Sequence, residues 1–276
     1  MILRAPSKKP ILVKPVRPSA AEAAWYRKRL EKLIEAMHAS VSYWVTSQWG
    51  RSGLATDRSP QQEFDKLFRK MSKQWKKTFA ASAKDVAKSF ANKNRRHHDL
   101  AFRTALKNAG FAVSFQTTPA IDAALGGAIE ESVGLIKSIP EQYFSDLQAR
   151  VLESVQAGRH MKQLTKDLEH VYGVTKNRAA LIARDQNNKI TAVIHKLRQK
   201  QVGITKAQWV HTTASKTPRE EHAAWGDEGA VYDVDKGMYS DEDGEYVWPG
   251  TPINCGCTCL SVVPGQDETE GEEVEP

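Results

Sequence analysis

The stretch that decides how this chain is interpreted lies near its C-terminal end. It begins Trp209-Val-His-Thr-Thr-Ala-Ser-Lys-Thr-Pro-Arg-Glu-Glu-His222 and, after an acidic segment with several glycines, ends Pro249-Gly-Thr-Pro-Ile-Asn-Cys-Gly-Cys-Thr-Cys259. All three cysteines of the chain, Cys255, Cys257 and Cys259, fall at alternate positions of this ending. Ordinary core packing does not require such a cluster, so the stretch marks a part of the chain with its own architecture or chemistry.

The sequence around this stretch predicts a small α+β module. A short strand over 207–212, a helical turn over 218–225, a hairpin over 232–248 and a final strand over 257–263 follow from the alternation of apolar and polar residues and from the acidic, glycine-containing turn at 240–244.

The preceding part of the chain is predicted to be helical. Ser19-Ala-Ala-Glu22 has the form of a capping box, and Pro60 suits the first turn of a second helix. A short third helix is predicted over 95–108, and further helix starts at Thr118-Pro119 and Ile139-Pro140. Residues 158–203 are interpreted as helix, turn at Gly173, and longer helix.

The predicted fold class is therefore α+β, a mostly helical body with a small C-terminal module. We divide the chain into four parts. These are a basic extended arm over 1–18, a basic helical domain over 19–157, the module over 158–263, and an acidic disordered tail over 264–276.

Composition indicates a soluble protein of a reducing compartment. The chain has 276 residues, 40% of them hydrophobic, and a mean hydropathy of −0.53. No apolar run reaches the roughly 20 residues that a membrane span needs. Three cysteines cannot all pair, and a disulfide between cysteines two apart would be strained. We therefore expect a cytoplasmic protein without a disulfide framework.

The net charge of +7 is unevenly distributed. Residues 1–110 hold 24 Lys and Arg against 8 Asp and Glu, residues 111–211 hold 13 against 9, and residues 212–276 hold 3 against 16. The basic N-terminal half suggests an anionic partner, such as nucleic acid or an acidic protein surface.

Basic side chains spaced three and four apart over residues 66–107 form the candidate phosphate-contacting surface. A solvated helix face is the alternative interpretation. Lys and Arg contacts to phosphates give salt-sensitive binding that is independent of DNA sequence. The residues chosen for this role are Arg69, Lys70, Lys73, Lys76, Lys77, Lys93, Arg95 and Arg96.

The cysteine cluster admits two interpretations. Cys255, Cys257 and Cys259 with His222 form a candidate zinc site, because zinc binds Cys and His in a tetrahedral shell. Residues two apart in a regular strand lie about 6.5–7 Å apart, so the chain would have to kink, as Gly256 permits. Otherwise the thiols simply pack in the protein and no cofactor is bound.

Two functional alternatives follow from the residues alone. One is a zinc-dependent hydrolase or transferase built on Arg219, His222 and the cysteines. The other is a regulator with a helix-turn-helix over 160–184, whose DNA-reading helix would start near Thr175.

Several short motifs occur in a fixed order over about residues 158–263. They are Ala179-Ala-Leu-Ile-Ala-Arg-Asp185, Gly203-Ile, Trp209, Arg219-x-x-His222, and Pro249-Gly-Thr-Pro-Ile-Asn-Cys-x-Cys257. Together these motifs resemble the phage Mu F-like minor head proteins, also called phage head morphogenesis proteins.

The resemblance implies a non-enzymatic minor component of a tailed-phage head, found in the virion and in the host cytoplasm during assembly. Such proteins associate with the portal protein or with the capsid interior, where the major capsid or scaffold protein is the partner. They assist assembly, DNA packaging or ejection, and no membrane is required. The resemblance also implies that Trp209, Arg219, His222, Cys255 and Cys257 define the domain rather than catalyse a reaction. Non-specific contact with double-stranded DNA is expected of the basic half.

Overall fold

The computed structural model describes residues 3, 5, 8–51, 60–156, 161–212 and 218–265. Within these residues five helices and six strands are found, and the predicted α+β class is confirmed. The helices are α1 (Ala20–Arg51), α2 (Pro60–Asn108), α3 (Pro119–Gln156), α4 (Met161–Gln201) and α5 (Glu220–Asp227). The strands are β1 (Ile11–Val13), β2 (Lys206–Val210), β3 (Val231–Asp233), β4 (Met238–Ser240), β5 (Glu245–Val247) and β6 (Thr258–Val263).

Two predicted helix starts are confirmed by their caps. The hydroxyl of Ser19 accepts a hydrogen bond from the backbone N–H of Glu22 at 3.3 Å. The hydroxyl of Thr118 accepts one from the N–H of Ile121 at 3.4 Å. In each case a short polar side chain satisfies a donor that has no partner within the helix.

The prediction of separate second and third helices is wrong, because α2 runs without a break from Pro60 to Asn108. No glycine or proline interrupts residues 61–108, and a residue buried to 9% exposure or less recurs every three or four positions from Phe64 to Leu106. The helix stops before Gly110, whose φ of 94° is outside the helical range.

Two predicted breaks further along the chain are also wrong. Pro140 lies inside α3, although proline cannot donate the usual backbone hydrogen bond. Gly173 lies inside α4, which continues from Met161 to Gln201. A glycine in a helix costs only about 1 kcal/mol relative to alanine, which packing on both sides can offset. The predicted helix-turn-helix over 160–184 is therefore wrong, and the regulator hypothesis loses its basis.

The strands form two antiparallel sheets. The larger has the order β1-β6-β2-β3, so Ile11–Val13, inside the predicted arm, form an edge strand. β4 and β5 form a separate hairpin with Tyr239 opposite Tyr246. The predicted hairpin over 232–248 is thus too long. The Asp233 carboxylate accepts backbone hydrogen bonds from Asp235 and Lys236 at 2.7 and 3.2 Å, and this turn separates β3 from β4.

The chain divides into two compact units. Unit 1 contains residues 1–22, 91–128 and 184–276, and unit 2 contains residues 23–90 and 129–183. The predicted four-part division stays a prediction.

Unit 2 consists of packed segments of α1 to α4. The Tyr26 and Phe90 rings stack with centroids 4.1 Å apart, which joins α1 to α2. The Gln148 amide donates to Asp65 at 2.9 Å, joining α3 to α2. The Arg178 guanidinium donates to the Ser138 hydroxyl at 2.9 Å, which joins α4 to the stretch of α3 just before the helical proline.

Unit 1 contains the larger sheet and two apolar clusters. In one, Val13 and Val263 pack with Phe102 and Leu106 of α2. The other surrounds Trp209 and includes the three cysteines. Arg198 of α4 is 1% exposed and donates two hydrogen bonds, both 2.7 Å, to the carboxylate of Asp99.

Some sequence predictions fall on residues outside those described. These are most of the predicted loop over 50–59, the predicted start of the module at 158–160, residues 213–217 of the quoted stretch, and residues 266–276 of the predicted acidic tail. None of the described helices has an apolar stretch that could cross a bilayer.

Candidate functional site

The pairing of β2 with β6 brings the two ends of the quoted stretch together. Trp209 lies opposite Cys259, and Val210 lies opposite Thr258. His211 follows β2 and Cys257 precedes β6, so the same antiparallel register places these two residues opposite each other. The Nδ1 atom of His211 lies 3.6 Å from the Sγ atom of Cys257.

Helix α5 contributes the second imidazole. His222 is 2% exposed, and its Nδ1 atom lies 3.5 Å from Cys255 Sγ and 3.9 Å from Cys257 Sγ. Its ring packs against Trp209 and stacks on Trp225, with centroids 4.9 and 5.3 Å away. Its Nε2 atom has no hydrogen-bond partner among the described residues. The two indoles therefore fix the ring with Nδ1 directed at the sulfurs.

The loop from Trp248 to Cys257 presents Cys255 from the other side. Gly250 adopts a φ of 88°, and its backbone N–H donates to Cys255 Sγ at 3.4 Å. Asn254 adopts a φ of 59°, a left-handed conformation that asparagine tolerates better than most residues. These two positions turn the chain so that both sulfurs reach His222.

Helix α4 holds this loop in place. The Asn188 amide donates to the carbonyl of Cys255 at 2.9 Å, and the Asp185 carboxylate accepts the backbone N–H of Asn254 at 2.7 Å. Arg184 donates to the side-chain oxygen of Asn254 at 3.3 Å. The Arg184-Asp185 pair of the resemblance thus orients the loop that carries the cysteines.

Two glycines allow the segments to approach. A Cβ atom on Gly226 would lie 2.4 Å from the Cβ atom of His211, and one on Gly256 would lie 2.8 Å from the Thr212 methyl group. Gly256 does not have a positive φ, so its role is to leave space rather than to allow a special backbone conformation.

The cysteines differ in their protonation. A hydrogen bond from the Cys257 thiol lowers the pKa of Cys255, and His222 acts in the same direction. Loss of that proton is unfavourable for the donor, which raises the pKa of Cys257. Burial raises the pKa of Cys259 to about 11. One thiolate therefore forms readily in the pair, and thiolate is the form that binds metals.

Of the predicted zinc ligands, the structure brings His222, Cys255 and Cys257 together and places Cys259 elsewhere. The three ligand atoms of the group lie within 4.8 Å of one another. Cys259 lies on β6 with its Sγ atom 3.8 Å from Nε2 of Gln199.

Arg219 is directed toward the cysteine loop and the hairpin rather than toward the sulfurs. It donates to the carbonyl of Ile253 at 3.2 Å and approaches the carboxylates of Glu242 and Asp243 at 3.8 and 3.6 Å. The alternative of an enzyme built on Arg219, His222 and the cysteines gains no support from this arrangement, because the guanidinium has other partners and the imidazole is buried.

The predicted phosphate-contacting residues all lie on α2 but differ in accessibility. Lys93 lies 3.7 Å from Glu22, Arg95 lies 3.7 Å from Asp99, and Lys76 lies 3.0 Å from Glu141. Lys76 is nevertheless exposed, as are the remaining five, namely Arg69, Lys70, Lys73, Lys77 and Arg96.

The structure adds three lysines to this surface. Lys66, Lys84 and Lys88 are exposed and share one line along α2 with Lys70, Lys73 and Lys77. We call these six residues the lysine row. It spans about 33 Å at 1.5 Å per residue. In the part of the chain that the structure describes, none of the six takes part in an ion pair. The spacing of three and four residues includes these positions, so the sequence pattern could have predicted that these lysines belong to the surface.

The C-terminal part of the chain is similar to a known protein family. Residues 145–260 match the family described as Phage Mu protein F like protein. This part of the chain is similar to the Mu F-like phage head morphogenesis proteins, as the motifs indicated. The match includes α4, the larger sheet except β1 and the last residues of β6, and the neighbouring His211, His222, Cys255 and Cys257, which we call the His/Cys group.

A relative extends the similarity into the basic half. An uncharacterized protein of Haemophilus influenzae is 26% identical over 259 residues, which cover 92% of this chain and 56% of the relative. The chain thus spans little more than half the length of that protein. No solved structure matches.

Proposed function

We propose that this protein is a minor head protein of a tailed phage or prophage, without enzymatic activity. In this role it docks on the portal protein inside the head and takes part in assembly and in DNA packaging or ejection. The match of residues 145–260 to the Mu F-like family carries the proposal. The acidic module offers a surface suited to a basic head protein, and the basic helix offers one suited to DNA.

The docking surface we propose is the β4–β5 hairpin. Tyr239 and Tyr246 are 51% and 45% exposed and contact each other with ring centroids 5.3 Å apart. Exposed carboxylates surround them at Asp241, Glu242 and Glu245. Exposed tyrosines are frequent anchors of protein interfaces, and the carboxylates favour a basic partner. We therefore assign the hairpin to a basic surface of the portal protein.

The proposed DNA contact is the lysine row. Six exposed ammonium groups on one line attract phosphates without reading bases, which suits DNA of any sequence. The partly paired Lys76, Lys93 and Arg95 contribute less, because each already lies near a carboxylate.

Particles from an induced lysogen that carries a tagged copy of the gene test the function. We expect the protein to sediment with DNase-treated, DNA-filled heads, and deletion of the gene to reduce the yield of such heads until a plasmid copy is supplied. A tagged early, non-structural phage protein is the control for trapping. Absence from heads together with an unchanged head yield would contradict the proposal.

The docking surface is tested by replacing both hairpin tyrosines. Tyr239→Ser with Tyr246→Ser should abolish co-purification with the portal protein and reduce incorporation into heads. The matched control is Leu100→Ser with Leu181→Ser, two exposed apolar residues of helices, 65% and 47% exposed. Equal loss in both double variants, or retention of the major capsid or scaffold protein instead of the portal, would reject the assignment.

A further inference from the structure

The two distances from the His222 imidazole to the sulfurs of Cys255 and Cys257 match the edges of a metal-centred tetrahedron. Zinc binds sulfur at about 2.3 Å and nitrogen at about 2.0–2.1 Å, so neighbouring ligands are separated by about 3.5 Å for nitrogen and sulfur. The observed separations of His222 Nδ1 from Cys255 Sγ and Cys257 Sγ are 3.5 and 3.9 Å. One ion can bind all three atoms with little movement of the backbone.

A fourth ligand approaches from the end of β2. His211 Nδ1 lies 3.6 Å from Cys257 Sγ, the same separation that zinc would impose on such a pair. The segment that carries it is held close by Gly226 and Gly256, where any side chain would collide with His211 or Thr212. The space left by these glycines thus brings a second imidazole to the sulfur of Cys257.

We propose that His211, His222, Cys255 and Cys257 bind one Zn²⁺ ion in a structural site. Two thiolates and two neutral imidazoles complete a tetrahedral shell, which leaves no position for water or substrate. Such a closed site stabilises a fold and does not catalyse a reaction. It joins three segments that are distant in sequence, namely the end of β2, helix α5 and the loop before β6.

The surroundings of the group suit a metal centre. The Cys255 sulfur accepts a backbone hydrogen bond from Gly250 at 3.4 Å. Hydrogen bonds to ligand sulfurs are a regular part of the second layer around bound metals. Nδ1 of His222, in a ring that is 2% exposed, faces both sulfurs, and a zinc ion would give this buried atom a strong partner.

The ligand chemistry selects zinc among common metals. Two sulfurs and two nitrogens in a tetrahedron are typical of zinc, whereas magnesium and calcium prefer oxygen ligands. Cys259 is excluded because its sulfur lies beside Gln199. A disulfide between Cys255 and Cys257 is the competing use of the thiols, but the short spacing strains such a bond.

Metal content and ligand type in the full-length protein test the proposal. Protein purified without chelator and under reducing conditions should contain one zinc per chain by elemental analysis. X-ray absorption at the zinc edge should show two sulfur and two nitrogen neighbours. Absence of stoichiometric zinc, even after reconstitution with zinc salt, overturns the site. Three sulfurs would return Cys259 to the shell, and a coordinated water would mean an open site; either result overturns the four-ligand assignment.

Variants identify the ligands, with Cys259→Ser as the matched control. Cys255→Ser and Cys257→Ser should lose more than 90% of the bound zinc, on the order of a tenfold or larger loss of affinity, while Cys259→Ser keeps it. If the ligand variants fail to fold, thiol labelling of the wild-type protein replaces them. Zinc should protect Cys255 and Cys257 from an alkylating reagent until a chelator is added. Equal labelling with and without chelator overturns the proposal.

Discussion

The His/Cys group and the lysine row differ in burial and in how close their polar atoms lie to one another. The group is buried, and each of its few atoms has a fixed place within about 4 Å of the next. The lysine row is exposed, and its six ammonium groups contact no neighbouring carboxylate among the described residues. A buried polar group depends on each partner, whereas exposed charges act on a polyanion nearly independently.

The consequence is a difference in additivity. Removal of one ligand from a metal shell should abolish most of the stabilisation that the metal provides, because the remaining ligands are left buried without a partner. Removal of one lysine from the row should weaken DNA binding by a modest and similar factor at each position. Measurements on the two regions can therefore test whether this difference in additivity exists.

Metal removal has the largest expected effect. A strong chelator should lower the Tm of the protein by about 10 °C or more, because a structural zinc contributes its binding free energy to folding. Tryptophan fluorescence should change at the same time, because Trp209 and Trp225 both contact His222. Added zinc should reverse both changes. An unaltered Tm after the metal has been shown to leave would mean that the group is not structural.

Neutralisation of the lysine row comes next. The six-fold Lys→Gln variant at positions 66, 70, 73, 77, 84 and 88 should bind a random DNA duplex up to about 1000-fold more weakly at low salt. The slope of log K against log salt should decrease by about 3 to 5, depending on how many lysines meet phosphates. Fluorescence anisotropy at several salt concentrations measures both quantities.

The control for this experiment changes the same number of charges elsewhere. Lys→Gln replacements at six exposed lysines off the row leave the net charge identical to that of the test variant; these are Lys28, Lys32, Lys107, Lys162, Lys166 and Lys206. If the control loses as much affinity as the test variant, DNA responds to net charge alone and the row has no special role.

The sequence located three residues of the buried group but did not predict which residues complete it. Cys255, Cys257 and His222 were candidates because such residue types rarely cluster by chance. His211 was missed because it is 46 positions from Cys257, and only the β2–β6 register brings the two together. Cys259 was included by spacing alone, although its sulfur lies beside Gln199 in the structure.

Helix lengths were less predictable than helix faces. The buried stripe of α2 was evident from Phe64 onward, yet breaks were predicted at Pro140 and Gly173, where α3 and α4 continue. Local propensity disfavours both residues within a helix by at most a few kcal/mol. Contacts such as Arg178 with Ser138 lie beyond any local window, so the sequence pattern could not weigh them.

A buried histidine pair in unit 1 should make the stability of the protein depend on pH, with a smaller effect than metal removal or lysine replacement. Nε2 of His98 lies 3.0 Å from Nδ1 of His195. Burial lowers the pKa of both; the adjacent Asp99 opposes this for His98, while Arg198 and His97 add to it. The unfolded chain then binds more protons, so stability is full above about pH 6.5 and is lost as pH falls below it. The free energy of unfolding should decrease by about 1–3 kcal/mol between about pH 7.5 and about pH 5.5.

Denaturant unfolding at several pH values measures this dependence in two variants. His98→Gln should flatten it, because one of the buried titrating groups is gone. His97→Gln on the same helix should change it much less, because His97 lies outside the buried pair and has the smallest of the influences on the pKa of His98. A steep dependence that persists in His98→Gln would assign the effect to other groups, such as zinc ligands that protonate at low pH.

The smallest expected effect tests how tightly the segments around the cysteines pack. Gly256→Ala should cost about 1 kcal/mol in the free energy of unfolding, because the new Cβ atom would lie 2.8 Å from the Thr212 methyl group. Thr212→Ser removes that methyl group, and the next Thr212 atom is 3.9 Å away. The double variant should therefore recover most of the loss relative to Thr212→Ser alone. If the two changes in the free energy of unfolding simply add, Gly256 and Thr212 are not in tight contact. The end of β2 would then pack loosely on the cysteine loop, and the expected difference in additivity from the lysine row would be smaller.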